Sequence, residues 1–129
     1  MCMIDDGDGY STNLREERRR ARVEHRCCEC RRTISPGETY IADTVVCDGE
    51  LSTYKTCAHC DVVRGWLMRE CQGFAYQYVK EDIIEHAREG GYGRDVVRMA
   101  AGMRARWSRR DGRMWPVPDI HDAMTGENQ

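Results

Sequence analysis

Apolar positions recur along this chain with two different periods. Tyr40, Ile41, Val45 and Val46 fall in one run, from Glu38 to Val46, and Leu51 and Tyr54 fall in a second, from Leu51 to Thr56. Their alternation is imperfect, but Asp48-Gly49 lies between them, and a turn with both central residues at positive φ favours that dipeptide. The two runs are therefore read as a β-hairpin. Beyond it the period lengthens. Val63, Trp66, Leu67 and Cys71 form one helical stripe, which predicts a helix over Ala58–Cys71 with Trp66 packed over the hairpin. Val79, Ile83 and Ala87 form another, which predicts a helix from Ala75 to Arg88 that ends at Gly90-Gly91. Val96, Met99, Ala100, Met103 and Trp107 share one side of a helix predicted over Arg94–Arg110. Trp115-Pro116-Val117-Pro118 ends regular structure. Near the start, Asn13 and Glu16 have capping-box spacing, which suggests a short, highly charged helix through Arg20. The pattern predicts an α+β protein: a hairpin followed by three helices.

Cysteine spacing adds a centre to this outline. Cys27 and Cys30 form one Cys-x-x-Cys pair and Cys57 and Cys60 a second, with 26 residues between the pairs. Two intervening residues let both sulfurs of a pair reach one ion at about 2.3 Å, so the four are read as zinc ligands. The hairpin accounts for the length of the gap. A knuckle, a hairpin and a helix whose first turn carries the last two ligands is a treble-clef-like layout. Four thiolates leave no open coordination position, so the zinc ion would be structural, contributing on the order of 10 kcal/mol to folding. The alternatives are disulfides, which need an oxidising compartment, or buried thiols. The first ten residues are acidic with no apolar leader segment, so the chain is expected to be soluble and cytoplasmic. Cys28 lacks the spacing of Cys27. Cys47 reads as an ordinary strand residue and Cys71 as a small hydrophobe on a helix face. A second metal site drawn from Cys2, Cys71, His25 or His59 is conceivable, but no spacing supports it.

Composition explains why a metal would be needed. Only 40% of the 129 residues are hydrophobic, eight of those are cysteine, and there is one Phe. That makes a thin core. No apolar run approaches the roughly 20 residues that span a bilayer.

The net charge of −2 conceals segregation. Arg15–Arg32 holds eight arginines against four glutamates, and Arg94–Arg113 holds seven arginines against two aspartates. On the last predicted helix, Arg94, Arg98, Arg106 and Arg109 lie opposite the apolar stripe, with Arg113 just beyond. Such a face either stays solvated or meets a negatively charged partner, and the five arginines are the candidate partner-binding residues. Glu81, Asp82, Glu85 and His86 resemble an acid–base cluster but read more simply as a solvated helix face. Four segments follow: 1–22, acidic and then arginine-rich; 23–89, the zinc-binding part; 90–115, the amphipathic arginine helix; and 116–129, an acidic tail.

The strings H-R-C-C-E-C-R-R-T-I-S-P-G-E-T-Y and D-G-E-L-S-T-Y-K-T-C-A-H-C, with E-D-I-I-E-H-A later, resemble a group of small phage and prophage proteins of unknown function. The resemblance covers roughly residues 23 to 88, and the initial Met-Cys is also similar. It implies a phage-encoded zinc protein with ligands Cys27, Cys30, Cys57 and Cys60, no assigned activity, and a macromolecular partner in the host cytoplasm. The expected function is non-enzymatic engagement of a host protein or nucleoprotein complex, for host takeover or anti-defence. Direct nucleic-acid binding through Arg94–Arg113 is the alternative. A metal-dependent nuclease is a third reading, although the hairpin offers no histidine to activate water. No membrane contact is expected.

Overall fold

The computed structural model describes residues 11–118. Its elements are β1 (Ser11–Arg20), β2 (His25–Arg26), β3 (Thr33–Ile34), β4 (Thr39–Cys47), β5 (Glu50–Cys57), α1 (Ala58–Glu70), α2 (Val79–Glu89) and α3 (Arg94–Arg104). The architecture is α+β. An antiparallel sheet runs in the order β1-β4-β5, and β2 pairs with β3 in a two-stranded ribbon.

The hairpin forms where the dipeptide signal put it. Asp48 and Gly49 both take positive φ, 54° and 83°, and Cys47 pairs with Glu50 across the turn. As the central strand, β4 is covered on both sides: Tyr40, Ile41, Ala42, Asp43 and Val45 are all buried.

Asn13–Arg20 is not a helix. The segment is strand β1, paired with β4 from Ser11↔Cys47 to Arg20↔Thr39, with a bulge between Asn13 and Arg15. A strand projects residues i and i+2 to the same side. Arg15, Glu17 and Arg19 therefore share a face, and the Glu17 carboxylate accepts hydrogen bonds from both arginines (Arg19 Nε, 2.7 Å). The local capping-box motif loses to pairing with a distant strand. The segment expected as an extension is thus an edge of the sheet.

The three helices pack against one another and the sheet through the apolar stripes. Val63, Trp66, Leu67, Val79, Ile83, Val96, Met99, Ala100, Met103 and Trp107 are all buried. Trp66 meets His86 and Tyr92 edge-on, at centroid distances of 5.3 and 5.6 Å, so its ring faces the α2 side. Residues 119–129 of the expected acidic tail, and Met1 to Tyr10, lie outside the described residues.

The last helix is shorter than the apolar period suggests. It stops at Arg104, and Arg106 and Trp107 take positive φ, 55° and 57°. The amides of Arg106 and Trp107 donate to Met103 O and Gly102 O, turning the chain back so that Trp107 lies on its own helix. Gly102 permits this approach: a Cβ there would sit 2.1 Å from Trp107 Cζ3. Replacing Gly102 by Ala is expected to destabilise the metal-loaded protein by about 1–3 kcal/mol, as overpacking does. Gly65→Ala, whose added methyl meets only Arg69 Nη1 at 3.7 Å, should be neutral or stabilising by up to about 1 kcal/mol. Urea unfolding of both variants checks this, and equal midpoints would contradict the packing argument.

Candidate metal centre

The first Cys-x-x-Cys pair lies on the turn between β2 and β3. Cys27 N–H donates to Arg32 O (2.9 Å), Arg31 N–H donates to Cys27 O (3.1 Å), and Arg31 takes a φ of 71°. That tight turn aims both sulfurs to one side. The second pair straddles the junction of β5 and α1, with Cys57 at the strand's end and Cys60 in the helix's first turn. All four sulfurs lie within 4.8 Å of one another, and all four residues are buried. Cys30 Sγ and Cys57 Sγ are 3.9 Å apart. Zinc at about 2.3 Å from each of four tetrahedral sulfurs would hold them about 3.8 Å apart, so the residues fit the ion. None of the four is in a disulfide. The centre can hold a metal ion.

Its electrostatics favour a cation among the sulfurs. Hydrogen bonds from Cys27, Cys30 and Cys60 pull the Cys57 thiol far below its ordinary pKa, while burial first, and then its three neighbours, push Cys60 well above. The Cys27 thiol is also lowered, chiefly by its hydrogen bond to Cys30, while Cys30 is raised. Two thiolates are thus favoured at the cost of the other two, and a divalent ion removes that conflict. Donors already face the sulfurs: the amides of Glu29 and Cys57 reach Cys27 Sγ, both at 3.4 Å, and Trp107 Nε1–H reaches Cys60 Sγ at 3.3 Å. Burial works against the charge of Arg32, but Glu38 and the Cys57 sulfur outweigh it and keep its pKa above the ordinary value.

Cys28 stays out of the cluster. Its sulfur turns toward Thr56 Oγ1 (3.6 Å) and the Arg64 guanidinium (3.6 Å), and burial pushes its pKa up to about 12. The side chain of Cys47 lies outside the described set. His59, between the last two ligands, points elsewhere: its Nε2–H donates to Trp115 O at 2.6 Å and its ring packs on Trp107. His25 lies against Lys55 and Tyr40. Among the described residues, neither histidine belongs to a second metal-ligating cluster with Cys71, and Cys2 lies outside those residues.

A buried polar knot braces the centre from behind. Arg64 of α1 donates to Asp43 Oδ2 and Glu29 Oε2, both at 3.0 Å, and lies 4.8 and 4.9 Å from the Phe74 and Tyr76 ring centroids. Glu29 sits between the first two ligands and also accepts the amides of Gln77 (2.9 Å) and Val79 (3.2 Å), at the entrance to α2. One carboxylate thus ties the knuckle to both α1 and α2.

The five candidate partner-binding arginines, Arg94, Arg98, Arg106, Arg109 and Arg113, are all exposed. They do not form one helical stripe. Only Arg94 and Arg98 lie on α3, while Arg109 and Arg113 close a separate turn through Arg109 N–H to Arg113 O (2.7 Å). A second basic surface lies in the N-terminal arginine-rich segment, whose sequence reads either as a basic arm for phosphates or as a solvated lead-in. Arg19, Arg20, Arg22, His25 and Tyr40 line a cleft of about 830 Å³, with Lys55 Nζ 3.3 Å from His25 Nδ1. Period-2 spacing of arginines along residues 15–20 was its available signal.

The expectation of a solvated face on α2 also fails. Glu81 and Glu85 are exposed, but Asp82 and His86 are buried; Cys71 packs against the core as a small hydrophobe, and its Sγ lies 2.8 Å from His86 Nε2. The signal was present: His86 falls at i+7 from Val79 and i+3 from Ile83, on the apolar face. No protein-family model, curated protein or solved structure matches this chain.

Two outcomes follow. Stripping the metal with a chelator at neutral pH is expected to unfold the protein, since a centre of this kind contributes about 10 kcal/mol or more, and circular dichroism reads the loss. Glu29→Ala should cost about 3 to 5 kcal/mol in urea unfolding by leaving a buried guanidinium short of a partner, with metal content unchanged.

Proposed function

We propose that this is a zinc-stabilised, non-enzymatic binding protein whose partner is a macromolecule of a host cell, either a protein or a nucleoprotein complex. The observation that supports this best is the closure of the metal centre. Its four ligands are all cysteine and all buried, so a tetrahedral ion there has no vacant position for substrate or water. Zinc is the ion of choice for a four-thiolate tetrahedral set. What the molecule offers to its surroundings is arginine, on α3 and the turn that follows and along β1. The likeness of residues 23–88 to phage and prophage proteins supports a host partner, and host takeover or anti-defence are the roles such a protein would serve.

Direct nucleic-acid binding is the second reading, and the cleft around Arg19, Arg20 and Arg22 favours it. Burial is the main reason His25 is held below its ordinary pKa, and the nearby charges of Lys55 and Arg19 add to it. Within the described residues no helix is long and apolar enough to cross a membrane.

Affinity capture from nuclease-treated lysate, with the zinc-loaded protein as bait, separates the two readings. A protein partner should be retained, and should be lost when Arg94, Arg98, Arg106, Arg109 and Arg113 are changed to Glu. For nucleic acid, mobility shift with duplex DNA and single-stranded RNA should show the logarithm of the affinity falling linearly with the logarithm of salt concentration. Arg19→Ala, Arg20→Ala and Arg22→Ala together should make that slope shallower. Neither capture nor shift would sink the binding-protein reading.

A further inference from the structure

The chain bends where β1 gives way to β2, and the bend encloses the arginine-lined cleft. Ala21 fixes the bend. Its amide donates to Glu38 O and its carbonyl accepts Gly37 N–H, both at 2.8 Å, and its side chain is buried. The arginines on either side of it, Arg20 and Arg22, are exposed. Both line the cleft, together with Arg19, Val23, His25 and Tyr40, and among the described residues no carboxylate does. The acids close by are engaged: Glu17 by Arg15 and Arg19, and Glu38 by Arg32 and the Ser35 amide. Glu24, further round the bend, is exposed and is not part of the lining.

The cleft keeps donors that nothing uses. Among the described residues neither Arg20 nor Arg22 has a hydrogen-bond or ion-pair partner. His25 adds a third. The Lys55 ammonium can only donate, so His25 Nδ1, 3.3 Å from it, accepts, and the proton of the neutral ring lies on Nε2. That Nε2–H is also without a partner among the described residues. Like charges held together repel, so an anion placed between them relieves a cost, and the forked donors of arginine suit phosphate oxygens. Shape narrows the choice of anion. The donors belong to one arc of chain that curves around the space, so a ligand must enter the cleft to meet them all. A duplex carries its phosphates on the outside of a wide cylinder and would touch only the rim. A single strand can enter, and it brings unpaired bases with its phosphates. Val23, 61% exposed, and the His25 ring give such a base an apolar surface beside the guanidiniums.

We propose that this cleft binds single-stranded nucleic acid, with Arg20 and Arg22 on neighbouring phosphates, His25 Nε2–H on a phosphate oxygen and Val23 against a base. Residues i and i+2 of an extended chain lie about 7 Å apart, which lets the two guanidiniums serve separate phosphates of one strand. The proposal rests on the second functional reading, direct nucleic-acid binding, and narrows it to one form of nucleic acid and one surface. The arginines of α3 and of the turn after it take no part.

Fluorescence anisotropy of the zinc-loaded full chain with labelled oligothymidine, single-stranded or annealed to its complement, tests the assignment. The wild type alone should prefer the single strand by about tenfold or more, the worth of one base contact. Arg20→Ala combined with Arg22→Ala should make the salt slope for the single strand shallower by about 1.4, at about 0.7 per phosphate. Arg88→Ala, which removes an exposed guanidinium from α2, should leave that slope unchanged. Duplex binding as tight as single-strand binding, or an unchanged slope in the double variant, overturns the cleft assignment and leaves nucleic-acid binding elsewhere on the chain standing. No binding of either form at low salt overturns both. Polyglutamate of matched charge that displaces the strand as well as unlabelled oligothymidine does would show that an acidic protein fits equally, and this also overturns the assignment.

Discussion

Four sulfurs held within one ion's reach are the constraint on which this fold rests. They join a two-residue ribbon to the junction of a strand and a helix, and neither would persist alone: β2 and β3 contribute two residues each. A two-stranded ribbon of that length is not stable by itself. A bound divalent ion turns the mutual repulsion of neighbouring thiolates into attraction, and the surrounding N–H groups spread what negative charge remains. Arg32 lies on the same side and is itself steadied by Glu38. The core needs this help, because much of its buried apolar surface is small: Ala21, Ala42 and Ala100 beside four cysteines.

Around that junction the interior uses polar groups where a larger protein would use hydrocarbon. Arg64 and Glu29 have side chains 5% and 0% exposed, and together they fasten three elements. Ion pairs at this depth rarely add net stability over a well-packed apolar alternative, yet breaking one is costly. They fix which surfaces meet. Glu29 is the informative member, since its neighbours on both sides are ligands of the first knuckle. Loss of the ion would free the segment that holds the α2 entrance, so disorder would spread beyond the metal's immediate neighbours.

What the sequence disclosed and what it hid follow from the range of the interactions. The hairpin was legible because Asp48-Gly49 is a local signal, and the ligand set because Cys-x-x-Cys spacing is local geometry. The α1 and α2 stripes were legible for the same reason, to within a few residues at their ends. Strand β1 was hidden because its residues satisfied a helix-cap motif, while its pairing with β4 joins positions 19 to 36 residues apart, from Arg20↔Thr39 to Ser11↔Cys47. Asp82 and His86 looked solvated because their burial comes from Cys71 and Trp66, on another element. Arg64 carried no local signal in the sequence; the Glu29 and Asp43 carboxylates, both distant along the chain, are what make its burial tolerable. The break after Arg104 was hidden because the apolar period runs on through Trp107. The residue reaches the core by a reversal of the chain, not by another helical turn.

Strand β1 borders the sheet, and among the described residues no further strand pairs with its outer amides and carbonyls. Row upon row of copies could in principle add there, as happens in fibrils. The same guanidinium groups that line the strand make that addition self-defeating, because a second copy laid alongside would bring Arg18, Arg19 and Arg20 against their own kind. Among the described residues, that arginine-lined border is what stands between the sheet and another copy of itself.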